Sequence, residues 1–378
     1  MTKGQPMTTD DQVYRSRIER VQAEMANRNV DYLFVTPSSD LIYLLGYAAH
    51  ASERLTLLGI PRDGEPFIVA PQLESMRLND RRDLIDIHVW SETESPIELV
   101  GRLVEGGPRG HPGASIAVND QTWSGFLLGL QDEIDADRWQ SATGILRELR
   151  MVKDEHEIAL LRHASEVTDA AWQEFVETTS FAGRTETEVG KDLSRLMTER
   201  GLQTSFLIAA SGPNSASPHY MTGERVIQEG EPVLFDFGGR WQHYTSDVTR
   251  MVHVGEPSDE YRKVYEIVLR ANLAVLDGVK PGMPCEDVDK LARDVITDAG
   301  YGEYFIHRVG HGLGLDTHEE PYMVGGNTTP LKPGMTFSDE PGIYLEGKFG
   351  IRIEDLLVVT DDGAESLNHA PRDIVIVK

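Results

Sequence analysis

The stretch LFDFGGRWQHYTSDVTR (residues 234–250) sets two aspartates, Asp236 and Asp247, into a run that otherwise reads as a hydrophobic β-hairpin. If the two face each other across that hairpin, the ten residues between them leave three paired positions per strand and a four-residue turn, RWQH. Carboxylates so opposed, with Cβ atoms about 4.5 to 5.5 Å apart, destabilise a sheet. One of them must be protonated, or a cation must lie between them. An isolated pair reads more simply as one solvent-facing aspartate and one turn cap. The cation reading gains its force from the rest of the chain.

After residue 145 the sequence repeats itself. Ile158, Leu161, Ala164, Val167 and Ala171 mark one helix by their spacing, and a second carries Thr185 and Glu188 in capping-box register before Val189, Leu193, Leu196 and Met197. A strand (SFLIAA) and the hairpin follow. The same order returns with helices marked by Val264, Ile267, Val268 and Ala271, then by Val288, Leu291, Ala292, Val295 and Ile296. YFIHRVG reads as the second strand, and LKPGMTFSDEPG aligns with IQEGEPVLFDFG so that Asp236 and Glu340 each fall six residues after a glycine, Gly230 and Gly334. This predicts two similar halves closing one sheet, with helices outside and a site between the halves.

Glu340 in TFSDEPGIYL and Glu354 in GIRIEDLLVV then place one carboxylate on each of two consecutive strands of the second half. Between the hairpins lies GHGLGLDTHEEP, where glycines flanking His311 let the backbone bend closely around a site. Four carboxylates and one neutral imidazole carry a charge of about −4, which two divalent cations neutralise. In such sites ions about 3.5 to 4 Å apart generate hydroxide near neutral pH.

Asp236, Asp247, His311, Glu340 and Glu354, in the segments DFGGRWQHYTSDVTR, GHGLGLDTHEEP, DEPGIY and GIRIED, resemble the ligand set of the pita-bread metallopeptidases, a family that includes methionine aminopeptidase, aminopeptidase P and prolidase. The resemblance covers the whole second domain. It implies an α/β creatinase-like domain over residues 1–145 and an α+β pita-bread catalytic domain with an internal two-fold repeat over 146–378. It further implies hydrolysis of the peptide bond on the N-terminal side of proline by two divalent ions, manganese, cobalt or zinc. Asp236 would hold one metal, Asp247 and Glu354 would bridge both, and His311 and Glu340 would complete the second. Glu340 would also take a proton from the attacking water, which a carboxylate in reach of that water can do.

His219 in ASPHYMTG and His318 in DTHEE match the family's outer histidines, which contact substrate and stabilise the tetrahedral intermediate, and His307 matches one lining the proline pocket. Without the motif each reads as a hydrogen-bonded loop histidine. Arg352 shares a strand face with Glu354 and can orient a ligand carboxylate. Tyr244 is expected to hydrogen-bond in the neighbourhood of Asp247. Where many prolidases carry an arginine that binds the free proline carboxylate, this chain has Tyr322. Arg54, reaching over from a dimer partner, is one substitute. An aminopeptidase P acting on longer Xaa-Pro-Yaa peptides is the alternative reading, followed by a metal-dependent lyase or amidase on the same fold. A non-catalytic binding module is disfavoured, because no ligand is lost.

Strand-like runs DYLFVTP, LTLLGIP, PFIVAP, IDIHVW and SIAVND alternate with amphipathic stretches in the first 145 residues, which is the signature of an α/β domain. EGGPRGHPGAS (105–115) reads as a surface loop and SATG (141–144) as a boundary. A single cysteine, Cys285, excludes an intrachain disulfide and a thiolate metal site. The net charge of −26 argues against nucleic acid and for a well-solvated surface of the kind adapted to a salty cytoplasm. The polar start and the lack of any long apolar run predict a cytoplasmic protein without membrane contact, and the resemblance implies a homodimer.

Overall fold

The structure is a computed structural model that describes residues 9–105 and 113–377; the first residues of the chain and most of the loop read at 105–115 lie outside the described residues. The chain divides into two compact units, Met1–Arg150 and Met151–Lys378.

In the first unit, helix α1 (Thr9–Asn27) leads into strand β1 (Tyr32–Val35) and helix α2 (Ser39–Leu45). Strands β2 (Leu57–Pro61), β3 (Phe67–Pro71) and β4 (Asp86–Trp90) follow, then α3 (Pro96–Glu105), β5 (Ser115–Val118), α4 (Ser124–Glu133), β6 (Arg138–Ser141) and α5 (Thr143–Met151). All five sequence-predicted strands are present, in a sheet ordered β4-β3-β2-β1-β5-β6. β1, β2 and β3 are buried at every position, which is why they read as unbroken apolar runs rather than alternating ones. The sixth strand, RWQS, escaped the sequence reading because an edge strand is half polar. SATG thus marks the passage from β6 to α5, and α5 carries the chain across the division between the units.

The second unit opens with α6 (Glu155–Thr178) and α7 (Glu186–Glu199), both started by capping boxes, at Asp154 with Glu157 and at Thr185 with Glu188. β7 (Gln203–Ser211), β8 (Pro232–Trp241), β9 (Tyr244–Thr245) and β10 (Val248–Val254) complete the first half. The second half repeats the pattern with α8 (Asp259–Gly278), α9 (Cys285–Asp298), β11 (Gly310–Gly312), β12 (Glu319–Met323), β13 (Thr336–Asp339), β14 (Gly342–Leu345), β15 (Phe349–Arg352) and β16 (Asp355–Val359), and β17 (Ala364–Ser366) and β18 (Val375–Val377) end the chain. β8 lies between β7 and β10, as β13 lies between β11 and β16. Each half packs its helices on its own sheet: Trp172 of α6 stacks on Phe237 of β8 at 5.4 Å, and Val264 and Val288 share a core with Phe337 of β13.

Three expectations need correction. The halves do not close one continuous sheet: β18-β10-β8-β7 with β9, and β12-β11-β13-β16-β17, are separate ladders, joined by a bridge between Thr249 and Glu354. YFIHRVG is not a strand. The carbonyls of Phe305 and His307 accept from the Arg293 guanidinium and the Val309 N–H donates to Asp289, so helix α9 takes the backbone groups a ladder would need.

The first hairpin turns at Gln242 and His243, with φ of 46° and 75°, rather than through four residues, and Asp236 pairs with Thr249 instead of Asp247. That register differs from the expected one by two residues. A shift of two keeps the same face, so the two aspartates remain on one side as diagonal neighbours.

Candidate metal centre

The second unit encloses a cavity of about 820 Å³ lined by Asp236, Asp247, His311, Glu340 and Glu354, with His219, His307, His318 and Arg352. Its ligand-type residues come from equivalent places in the two halves. Asp236 lies within β8 and Asp247 just before β10; Glu340 follows β13 and Glu354 precedes β16. The second-half carboxylates therefore sit at the junctions where the chain leaves and re-enters the sheet around the β14–β15 hairpin, not within strands.

Asp247, His311 and Glu354 are buried, and a ligand atom from each lies within 4.8 Å of the others. The His311 Nδ1–H donates to the Gly312 carbonyl at 3.2 Å, which aims Nε2 into the cavity, 3.3 Å from Glu340 Oε1 and 3.8 Å from Asp247 Oδ2. Gly310 is required here because a Cβ would meet the Ser338 carbonyl oxygen at 1.7 Å. Burial first, and the neighbouring carboxylates next, push Asp247 well above the usual carboxylate range; burial and then Glu340 and Asp236 do the same to Glu354. Asp236 is also raised by burial, against the pull of Arg352. Burial opposes ionisation of Glu340 too, yet the His311 hydrogen bond and the cationic groups around it outweigh that and bring its carboxyl to about 2.

Arg352 organises this cluster. Its guanidinium donates to Asp236 Oδ2 at 2.6 Å, to Thr249 Oγ1 at 2.9 Å and to the Tyr344 hydroxyl at 3.0 Å. The Thr249 hydroxyl in turn donates a hydrogen bond to Glu354 Oε2 at 2.5 Å. The Tyr344 O–H donates to His307 Nε2 at 2.8 Å, because His307 Nδ1–H is committed to the Arg308 carbonyl at 2.7 Å. His307 thus lines the cavity as a neutral ring with both nitrogens engaged, and burial depresses its pKa. His318 lines the cavity with its ring nearly perpendicular to that of His311, the centroids 4.1 Å apart; burial first, and the neighbouring His311 next, bring its pKa down to about 4. His219 is exposed at the same mouth.

Tyr244 does not join the site. Three residues from Asp247, an odd spacing, it points to the opposite face and donates to Glu157 Oε1 of α6 at 2.7 Å. Arg54 belongs to the first unit, where it is paired with Glu53 and Glu92. Thr249, Tyr344 and Ser338, which donates to Glu340 Oε1 at 3.1 Å, were missed by sequence reading. Thr249 had a signal, since it stands two residues after Asp247 and so on its face; Tyr344 had none, because an aromatic in an apolar strand reads as core.

The model of metallopeptidase family M24 matches residues 159–361, and that of the creatinase/prolidase N-terminal domain matches 17–152. The chain belongs to metallopeptidase family M24. This M24 chain is 39% identical over 376 residues to a probable dipeptidase PepE of Mycobacterium tuberculosis, covering 97% of this chain and 98% of that protein. Its structure is similar to the crystal structure of dipeptidase PepE from Mycobacterium ulcerans, with a TM-score of 0.91 and 39% identity over 98% of this chain and all of that one. It is equally similar to a recombinant prolidase from Thermococcus sibiricus, with a TM-score of 0.91 and 37% identity over 99% of this chain and 100% of that one. The expected fold is therefore present, a creatinase-type N-terminal domain followed by an M24 catalytic domain, and the protein is a metallopeptidase. Among the described residues no helix is long and apolar enough to cross a membrane.

The M24 donor set fits divalent cations. Four carboxylates converge around one imidazole with Arg352 as the buried cation among them, and burial forces Asp247 and Glu354 away from the ionised state that a metal would stabilise. Oxygen-rich donors with a single nitrogen suit hard or borderline ions rather than thiophilic ones.

Proposed function

We propose that this metallopeptidase is a two-metal Xaa-Pro dipeptidase, acting on dipeptides with proline in second position. The observation that carries the reading is the convergence of Asp236, Asp247, His311, Glu340 and Glu354 in one cavity with His219 and His318 at its mouth. The dipeptidase and prolidase names of its relatives support the substrate class. Two bound divalent cations, held by those five side chains, would supply Lewis acidity toward the scissile carbonyl and acidify water.

The chain's own residues do the rest. Glu340, ionised at neutral pH, accepts the proton of the attacking water at a carboxylate oxygen and delivers it to the departing proline nitrogen. His318, neutral at that pH, donates an N–H toward the oxygen on which charge develops, and His219 flanks it. His307, fixed by Tyr344 and the Arg308 carbonyl, offers a rigid ring face to the pyrrolidine. Proline requires such a pocket because the imide lacks an N–H and its ring fixes the backbone angle.

The decisive experiment is hydrolysis of Met-Pro, Met-Pro-Gly and Met-Ala by the purified protein with manganese, with cobalt, with zinc and after chelation. Metal-dependent cleavage confined to Met-Pro supports the dipeptidase; preference for Met-Pro-Gly replaces it by an aminopeptidase P, and silence on all three by another substrate class on the same metals. The proposal extends to a cytoplasmic homodimer, for which light scattering should return twice the chain mass of 42.1 kDa.

A further inference from the structure

A dipeptide ends in a carboxylate two bonds from the proline nitrogen that hydrolysis releases, so a selective dipeptidase needs a cation beside the metal centre. Tyr322 occupies the position expected of such a cation in the sequence. The ring nevertheless stands close to the centre, because Tyr322 is directly paired with His311 across β11 and β12.

Over that ring lies Arg308, its guanidinium carbon 4.2 Å from the centroid. Arg308 is half-buried and lines the same cavity as Glu340 and His318. Among the described residues no carboxylate is paired with it, in a chain with 62 acidic and 36 basic residues. The other arginines nearby are committed elsewhere. Arg352 is bound to Asp236, Thr249 and Tyr344, and Arg293 to Asp289 and two carbonyls. Arg240 also lines the cavity, but its Nε donates to Thr245 beside the hairpin turn, and its charge is felt by His243 at that turn. The charge of Arg308 is felt by His318, after the stronger effects of burial, His311 and Glu340.

We propose that Arg308, held over the ring of Tyr322, binds the free C-terminal carboxylate of the substrate and so makes this site selective for dipeptides. This rests on the dipeptidase reading above. A guanidinium resting on an aromatic face keeps its in-plane N–H fork free to take a carboxylate edge-on with two parallel bonds. The stack also pre-pays the ordering of a long side chain. A site built to pair with a charge rejects the analogue that lacks it, since the cation is then left half-buried without a partner.

The test compares Met-Pro with its C-terminal amide, Met-Pro-NH2, in the manganese-loaded wild type and in Arg308→Ala, Arg308→Lys and Arg240→Ala. The wild type should favour the free acid. Arg308→Ala should lose on the order of 50-fold in kcat/KM on Met-Pro, carried by KM, and only a few-fold on the amide. Arg308→Lys should recover part of the loss, and Tyr322→Ala should lose several-fold with the same dependence on the carboxylate. Equal losses on acid and amide, or the selective loss appearing in Arg240→Ala instead, overturn the assignment of Arg308 while leaving the dipeptidase reading in place. Failure of the wild type on Met-Pro, with folding and metal content intact, overturns the dipeptidase reading and the assignment with it.

Discussion

Arg352 from the second half of the repeat and Asp236 from the first meet at 2.6 Å, both within the cavity wall. The same guanidinium holds Thr249, and through it Glu354, so one side chain sets the orientation of carboxylates from both halves. Replacing Arg352 by Met should weaken metal binding by about 10- to 100-fold and lower kcat accordingly, the usual consequence of losing a group that orients ligands. Calorimetric titration with manganese checks the affinity, and near-ultraviolet circular dichroism checks that the fold persists.

Removal of metal should destabilise the protein most at neutral pH. The folded-state pKa values of Asp247 and Glu354 are raised by burial, so in the metal-free chain their contribution to stability is present in acid and lost as pH rises toward those folded values. Bound cations reverse this by favouring the ionised forms. The rise in Tm on adding manganese should therefore be larger at pH 7.5 than at pH 5.5. An increment that grows toward acid would contradict the ligand assignment. Asp247→Asn and Glu354→Gln should each abolish most of the increment, with metal content read by elemental analysis.

Tyr244 holds Glu157 of α6 from the far side of the hairpin. Tyr244→Phe should cost roughly 1 to 2 kcal/mol of stability by taking a donor from a buried carboxylate. It should leave kcat/KM for Met-Pro unchanged, which urea denaturation and steady-state kinetics together can establish. A kinetic defect without a stability defect would return Tyr244 to the catalytic site.

The two-residue turn at Gln242 and His243 places both in the left-handed region that asparagine and glycine adopt more readily. The double variant Gln242→Asn, His243→Gly should gain about 1 kcal/mol. A fall in Tm would mean that the side chains there make contacts worth more than the backbone strain.

With a formal charge of −26, self-repulsion opposes the compact state. Tm in 0.5 M sodium chloride should exceed that in salt-free buffer, because at such ionic strength the screening length falls to a few ångströms. Maximal stability without salt would show that the acidic surface is already balanced locally.

The candidate ligand residues were legible in the sequence because their constraint is local and chemical. Asp236 and Glu340 each follow a glycine by the same interval, and carboxylates in apolar strands demand a partner whatever the tertiary arrangement. The helices α6 to α9 were legible because their apolar spacing and the caps at Thr185 and Glu188 are written within single turns. Register was not. Asp236 lies opposite Thr249, and neither hydrophobic alternation nor charge distinguishes that pairing from one shifted by two, since both bury the same face.

Tertiary structure alone decided the rest. YFIHRVG has the composition of a strand, but Arg293 and Asp289, contributed by a helix earlier in the chain, claim its backbone groups. The links from Arg352 to Tyr344 to His307, and the stacking of Arg308 on Tyr322, join residues whose side-chain directions depend on how separate elements turn and pack. Sequence determined which atoms are available as ligands and on which faces they stand. Packing determined which cation each carboxylate meets, because a charge buried away from water takes whatever partner the fold brings within hydrogen-bond distance.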